Sequence, residues 1–446
     1  MNAQERQHML ATAPIPGLVI RLSVPTIISM MITALYNMAD TFFVGQIGTS
    51  ATAAVGVVFP LMAIIQAGGF FFGHGSGNTI SRKLGAGDTE SARQLSGCGF
   101  YLALLAGCLF GLVCALFIQP LARMLGSTET ILPYTLDYLR IILFGAPFMM
   151  ASFVLNNQLR FQGFAMYSMV GMASGGILNI FLDPLLIFGF DMGISGAAVA
   201  TVFSQIVAMF ILLAMCRASK SLPHWLSDLK YVGKCIADIA GGGLPSLCRQ
   251  GLASIATIAL NLAAKPYSDA AIAAMSIATR ITMFAGSATI GFGQGFQPIC
   301  GFNFGAGNKK RVIDAFWFCM KLITSVLLVA AILGFIFAPQ LVALFRKDDL
   351  DVIRIGTMAL RAQCITMPLA GWIILNNMLF QTIGYTVPAS ILASARQGIC
   401  FLPMIFILPL CLHLFGVEIA QAAADICAFL LALYFHKTRL QDFYIK

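Results

Sequence analysis

Two aspartates stand where charge is expensive. Asp40 lies near the end of a first apolar stretch, in Tyr36-Asn37-Met38-Ala39-Asp40, and Asp183 lies inside a fifth, in Asn179-Ile180-Phe181-Leu182-Asp183-Pro184. A charge at the centre of a hydrocarbon layer costs about 2.5 to 3.5 kcal/mol on insertion scales, so an acid retained there marks function first. Asn179 precedes Asp183 by four residues, which puts amide and carboxylate on one helix face. Thr201 falls at a comparable depth on the next stretch. Two carboxylates, an amide and a hydroxyl form a hard oxygen set that suits Na⁺ or an exchangeable proton. The structural alternatives are that Asp40 borders an external loop and that Asp183 caps a helix end.

The second half of the chain carries basic groups in its apolar stretches: Arg249-Gln250, Arg280 and Arg396-Gln397. Long cations near span ends can snorkel to water, a reading that fits Arg280 as well as function does. Arg249 and Arg396 each neighbour a glutamine, a pattern suited to a hydrogen-bonding cavity wall. Tyr36, Asn156 and Asn157 are further polar candidates for such a wall, and Phe153 or Met275 would supply an adaptable apolar surface. Acid on one side and arginine on the other would admit zwitterionic or anionic amphiphiles as well as cations.

The elements that must position these groups follow from composition. Of 446 residues, 59% are hydrophobic and 10% charged, against about 25% charged in a soluble domain. Only lipid can cover that much apolar surface, and only helices or closed barrels satisfy their backbone there. Twelve apolar stretches are long enough to cross about 30 Å of hydrocarbon, so the expected fold is an all-α membrane protein of twelve transmembrane helices. A polar segment 1–16 precedes a first lobe at 17–216. A basic linker at 217–235 leads to a second lobe at 236–436 and a tail at 437–446.

The lobes repeat at a spacing of about 220 residues. Pro25 answers to Pro245, Gly73-His74-Gly75 to Gly293-Gln294-Gly295, Gly85-Ala86-Gly87 to Gly305-Ala306-Gly307, and Leu155-Asn156-Asn157 to Leu375-Asn376-Asn377. Six spans per lobe give both lobes the same orientation, a parallel repeat with a cavity between halves that can rock. Matched prolines in the first and seventh spans point to moving helices, and Pro25 is the expected hinge. The glycine-rich stretches follow no strand, so close helix packing explains them better than phosphate binding.

The net charge of +9 sits in short clusters between apolar runs. These clusters read as topology signals and not as a nucleic-acid surface, and they put both termini in the cytoplasm of a plasma-membrane protein. Arg346 and Lys347, assigned to an outer loop, run against that rule. Twelve cysteines scatter through apolar segments without metal-ligand spacing, which argues for small packing residues. Residues 1–16 lack a cleavable leader pattern. No Walker A, HExxH or GxSxG motif supports an ATP-driven pump or a membrane enzyme, and no repeated filter motif supports a channel.

The chain resembles the multidrug and toxic compound extrusion (MATE) family over nearly its whole length, in the prokaryotic branch with an acidic site in the first lobe. The resemblance rests on the two six-span lobes, Pro25, Tyr36 to Asp40, Gly85-Ala86-Gly87, and Leu178-Asn179 through Asp183-Pro184 with Gly196-Ala197-Ala198. It implies that Asp40, Asn179, Asp183 and Thr201 bind the coupling Na⁺ or H⁺ and that the first span bends at Pro25. It further implies antiport: export of amphipathic organic cations driven by an inward ion gradient, by a single chain in lipid without a cofactor. Some branches use acids in the seventh and tenth spans, whereas Gly243 to Ala264 and Arg361 to Gln381 contain none, so coupling is expected in the first lobe alone. The alternatives are a flippase or exporter of anionic or zwitterionic amphiphiles that uses the intramembrane arginines, and, in a different class, a channel.

Overall fold

The computed structural model describes residues 3–224, 226–345 and 349–445; Arg346 and Lys347 lie outside the described residues, as does Lys446. Every long element is a helix. The first six spans are Ile15–Ile47, Thr49–Gly85, Thr89–Leu116, Leu132–Phe161, Ala165–Pro184 extended by a π turn at Leu185–Gly189, and Gly193–Ala218. The seventh to tenth are Val232–Ala264, Asp269–Gly305, Lys309–Ile336 and Leu350–Ile383. The last continuous apolar run, Thr386–Leu440, is 55 residues, or roughly 80 Å of helix, too long for one crossing. It folds back at His413, whose φ of 53° breaks the helix, and a Cβ on Gly416 would strike the Leu408 carbonyl. The run is therefore two spans, which makes twelve in two lobes.

The repeat is visible in small devices as well as in span order. Short helices Ile118–Met124 and Ala338–Ala343 follow the third and ninth spans at matching places. Gly87 and Gly307 take positive φ, 79° and 74°, which only glycine adopts without strain. Next to them Asp88 accepts from the Ser91 backbone N–H at 3.1 Å and Asn308 from that of Arg311 at 3.2 Å, each capping the helix that follows. The bonds from Ser91 hold the Asp88 carboxyl below the usual range.

Three apolar cores define the shape. One is built only from first-lobe side chains such as Val58, Ile142 and Leu155. Another is built only from second-lobe side chains such as Leu260, Ile355 and Val417. The third mixes both lobes, with Leu22, Ile80 and Leu95 packed among Ile239, Phe296 and Phe380. The shared core lies at the end that carries the termini and the linker, so the lobes join there and separate towards the opposite face.

Glycine makes the joint possible. A Cβ on Gly75 would collide with the Ile239 carbonyl, one on Gly85 with that of Phe302, and one on Gly305 with that of Arg82. Backbones of opposite lobes thus touch, as small residues allow in membranes. Gly56, Gly251 and Gly286, nearer the opposite face, have open space where a Cβ would stand. Side chains lock the same seam: Thr26 donates to the Gly291 carbonyl at 2.6 Å, Ser23 to that of Phe292 at 3.2 Å, and Arg82 to that of Thr382 at 2.9 Å.

The polar N-terminal segment is helical. Ala3–Thr12 is a helix docked under the seam. Arg6 donates to the Gly163 carbonyl at 2.7 Å and lies over the Phe164 ring. From the other lobe, Asn303 donates to the Leu10 carbonyl at 3.1 Å, and Arg311 donates to the carbonyls of Leu10 and Ala13.

The seam makes a direct prediction. In a cysteine-free background, cysteines at Ala86 and Ala306 should cross-link on oxidation, and adding Gly75→Val should at least halve the yield on a gel. An unchanged yield would mean that the backbone contact is not what holds the lobes closed at this end.

Candidate functional site

The first-lobe oxygen set assembles where the first, fifth and sixth spans meet. Gly176 lets the fifth span approach the first so closely that a Cβ would lie 2.9 Å from Ile32 Cγ2 and 3.2 Å from Tyr36 Cδ1. Pro184 has no N–H for the preceding turn, and the helix continues as a π turn, a form often found at functional sites. Gly196 lets the sixth span start against that turn: a Cβ there would lie 2.8 Å from the carbonyl atoms of Leu186.

These approaches bring Asp183 inside the lobe with 0% of its surface exposed. Asn179 Nδ2 donates to Asp183 Oδ1 at 3.1 Å and reaches Thr201 Oγ1 at 3.5 Å. Asp40 enters from the first span, near enough for its charge to act on Asp183, Tyr36 and Tyr138. Three oxygens of this cluster, Asp40 Oδ1, Asn179 Oδ1 and Asp183 Oδ2, are buried without a hydrogen-bond partner among the described residues. Unpartnered buried acceptors are rare and costly, and acceptors of this kind could take a cation or a proton. Hydrogen bonds join Asn179, Asp183 and Thr201 of the four expected residues, and Asp40 stands on the first span one helical turn beyond Tyr36.

Tyr138 of the fourth span belongs to the same cluster, with its hydroxyl beside Thr201 and directed to Met62 Sδ at 3.8 Å. Sequence reasoning missed it because a tyrosine in an apolar stretch carries no charge penalty to flag it.

The expected cavity wall divides into several parts. Arg280 is exposed, and Gln250 and Gln397 are part-exposed. Met275 is 1% exposed and packs in the second-lobe core, because its helix turns that face towards Ala259 and Ile355. Phe153 packs likewise in the first-lobe core. Asn156 exchanges bonds with Ser168, its Nδ2 donating to the carbonyl and its own carbonyl accepting from the hydroxyl, each at 3.1 Å. It ties the fourth span to the fifth and does not face a cavity. Asn157 is fully buried beneath the seam. Pro25 lies within an unbroken helix, where Thr26 bonds back to the carbonyls of Leu22 and Ser23, and Ser29 bonds to that of Pro25.

Arg396 lines a cavity of the second lobe with Thr282, Gln363 and Asp425. It sits in a π turn, Ala395–Ile399, and its Nε donates to Asp425 Oδ1 at 2.9 Å. Gln421 donates to the same oxygen at 2.9 Å, and Thr366 reaches Oδ2 at 3.5 Å. The arginine is thus an ion-paired member of a network on the second-lobe wall. Asp425 obeys the rule that singles out Asp183, an acid inside an apolar run, but it lies in the twelfth span, outside the two spans that the resemblance brought into question.

Comparison with known proteins places this geometry in a family. The MatE family profile matches residues 25–185 and 245–407, one block per lobe, and each block begins at one of the paired prolines. The multidrug export protein MepA of Staphylococcus saprophyticus is 29% identical over 423 residues, which span 94% of this chain and 93% of that protein. A crystal structure of MATE in complex with MaL6 superimposes with a TM-score of 0.93 at 27% identity, over 98% of this chain and 99% of that one. The outward-facing conformation of a multidrug resistance MATE family transporter of the MOP superfamily gives 0.92 at 27% identity, over 98% of each. With both lobes matched and the whole architecture shared, the chain belongs to the MatE family, the multidrug and toxic compound extrusion transporters.

Proposed function

We propose that this transporter exports amphipathic organic compounds, mostly cationic, from the cytoplasm in exchange for Na⁺ or H⁺ bound at Asp40, Asn179, Asp183 and Thr201. The observation that carries the reading is the set of three unpartnered buried oxygens in the first lobe. Hard, largely anionic oxygens attract a small hard cation. A proton would satisfy the same carboxylates by turning one oxygen into a donor. The name of the similar protein MepA, a multidrug export protein, agrees with export.

With the termini in the cytoplasm of the plasma membrane, as the basic clusters argue, the closed seam faces inward and the space between the lobes faces outward. An ion arriving from outside then reaches the first-lobe cluster while substrate leaves. Tyr36 is one helical turn from Asp40 and packs on Gly176, so ion binding can reach the wall of the first span directly. Pro25 supplies the place where that span can bend, since a proline offers no N–H to the preceding helical turn. Ion and substrate need not touch: each must only prefer a different state of the rocking pair, and the size of that preference limits the coupling. A single chain contains both lobes and the whole cluster, so the working unit is a monomer.

Two expectations test this. In proteoliposomes, Asp183→Asn should reduce gradient-driven efflux of a quaternary ammonium dye to the passive leak, while near-native thermal stability in detergent shows that the fold persists. Wild-type efflux from that variant would remove the coupling role. With wild-type protein, Na⁺ and pH gradients imposed separately should drive efflux unequally, and no response to either would end the antiport reading.

A further inference from the structure

Two arginines lie deep in the protein at the lobe seam, and neither is bonded to a carboxylate among the described residues. Arg160 of the fourth span is 1% exposed. Its Nη2 donates to Asn157 Oδ1 at 2.6 Å, and its Nη1 donates across the seam to Gln294 Oε1. Its Nε has no partner. Arg249 of the seventh span is part-buried and makes one long bond, 3.4 Å to Asn377 Oδ1. Between them stands His74, fully buried, with Nδ1 2.5 Å from Ser246 Oγ and Nε2 without a partner. The His74 ring meets that of Phe161, the residue after Arg160, at 5.9 Å, and its Ser246 partner is three residues before Arg249.

The repeat explains the convergence. Asn157 and Asn377 are equivalent positions of the two lobes, and each turns its amide oxygen to an arginine. His74 and Gln294, the central residues of the two Gly-X-Gly stretches, are equivalent as well, and each bonds across the seam to the opposite lobe. Motifs that look like packing devices in the sequence thus meet near the axis that relates the lobes. They surround like charges with neutral partners only. Buried cations held this way carry a large desolvation cost that a matching anion would offset.

We infer that the seam at Arg160, Arg249 and His74 is an oxyanion site that takes the carboxylate or phosphate end of an amphipathic substrate. Access is from the space between the lobes, since Arg249 and Gln250 are part-exposed and Gly251 faces open volume. A guanidinium from each lobe would grip the oxyanion, as arginine forks do. The inference rests on the exporter reading above and extends its substrates from cations to zwitterionic and anionic amphiphiles, with the acidic cluster of the first lobe left to the coupling ion.

The test uses the full-length protein in phosphatidylcholine nanodiscs. The probes are three dansyl-labelled alkyl compounds that differ only in the head: a carboxylate, its methyl ester and a quaternary ammonium. Wild type should bind the carboxylate about tenfold more tightly than the ester, the scale of a charge-assisted pair. Arg249→Gln, at a part-exposed position, should remove most of that preference, and Arg249→Lys should retain part of it. Arg160→Gln should act in the same direction, but the inference stands on Arg249→Gln should the Arg160 variant fail to fold. Adding phosphatidylglycerol separates two sources of the oxyanion: competition with the carboxylate assigns the site to lipid headgroups as well, and no competition assigns it to free amphiphiles. Equal binding of carboxylate and ester by wild type, or a preference untouched by Arg249→Gln, overturns the inference. Gradient-driven export of the ammonium probe by wild type tells whether the exporter reading survives on its own.

Discussion

Inside a membrane a polar group has no water to fall back on, so each must find a partner in the protein or serve as a site. That constraint organises this molecule. Thr26, Ser23 and Arg82 bond across the seam to backbone carbonyls of the opposite lobe, and Gln381 to that of a neighbouring helix. Among the buried atoms left without a partner are two groups of opposite character: one rich in acceptors, around Asp183, and one rich in donors, around Arg160. Their chemistry is opposite, and so are the ligands that they suit.

The seam also explains how a repeat with such loose sequence correspondence can move as two bodies. Each lobe has its own apolar core towards one face, and only the third core is shared. At the closed end the lobes are joined by that shared core, by backbone contacts at glycine and by single hydrogen bonds, while towards the opposite face each lobe packs only on itself. Glycine gives close approach with little side-chain surface to tear apart.

Much of the architecture is legible in the sequence, because length and hydropathy constrain membrane helices strongly. The acidic cluster is legible for the same reason: Asp40 and Asp183 stand out against apolar surroundings, and helical spacing adds Asn179. Neutral polar residues are harder to read. Asn156 and Asn157 are adjacent, yet one ties two helices within a lobe and the other holds an arginine at the seam. Only the rotation of the helix distinguishes them, and composition does not encode it. The partner of Arg396, Asp425, is 29 residues away on another span, a separation that no local pattern reveals. Arg160 falls where a snorkelling residue would be expected, and it is instead held by Asn157 of its own helix and Gln294 of the neighbouring lobe.

The short helix Ala3–Thr12 is tied by Arg6 to one lobe and by the Asn303 and Arg311 bonds to the other, so it straps the two lobes at this end. In the exchange proposed above, parting the lobes here would break one of these attachments, and the lobe that kept the helix would carry an extra arm beneath the opened entrance. A bulky fusion placed directly on the helix would then load the joint rather than hang idle in solvent.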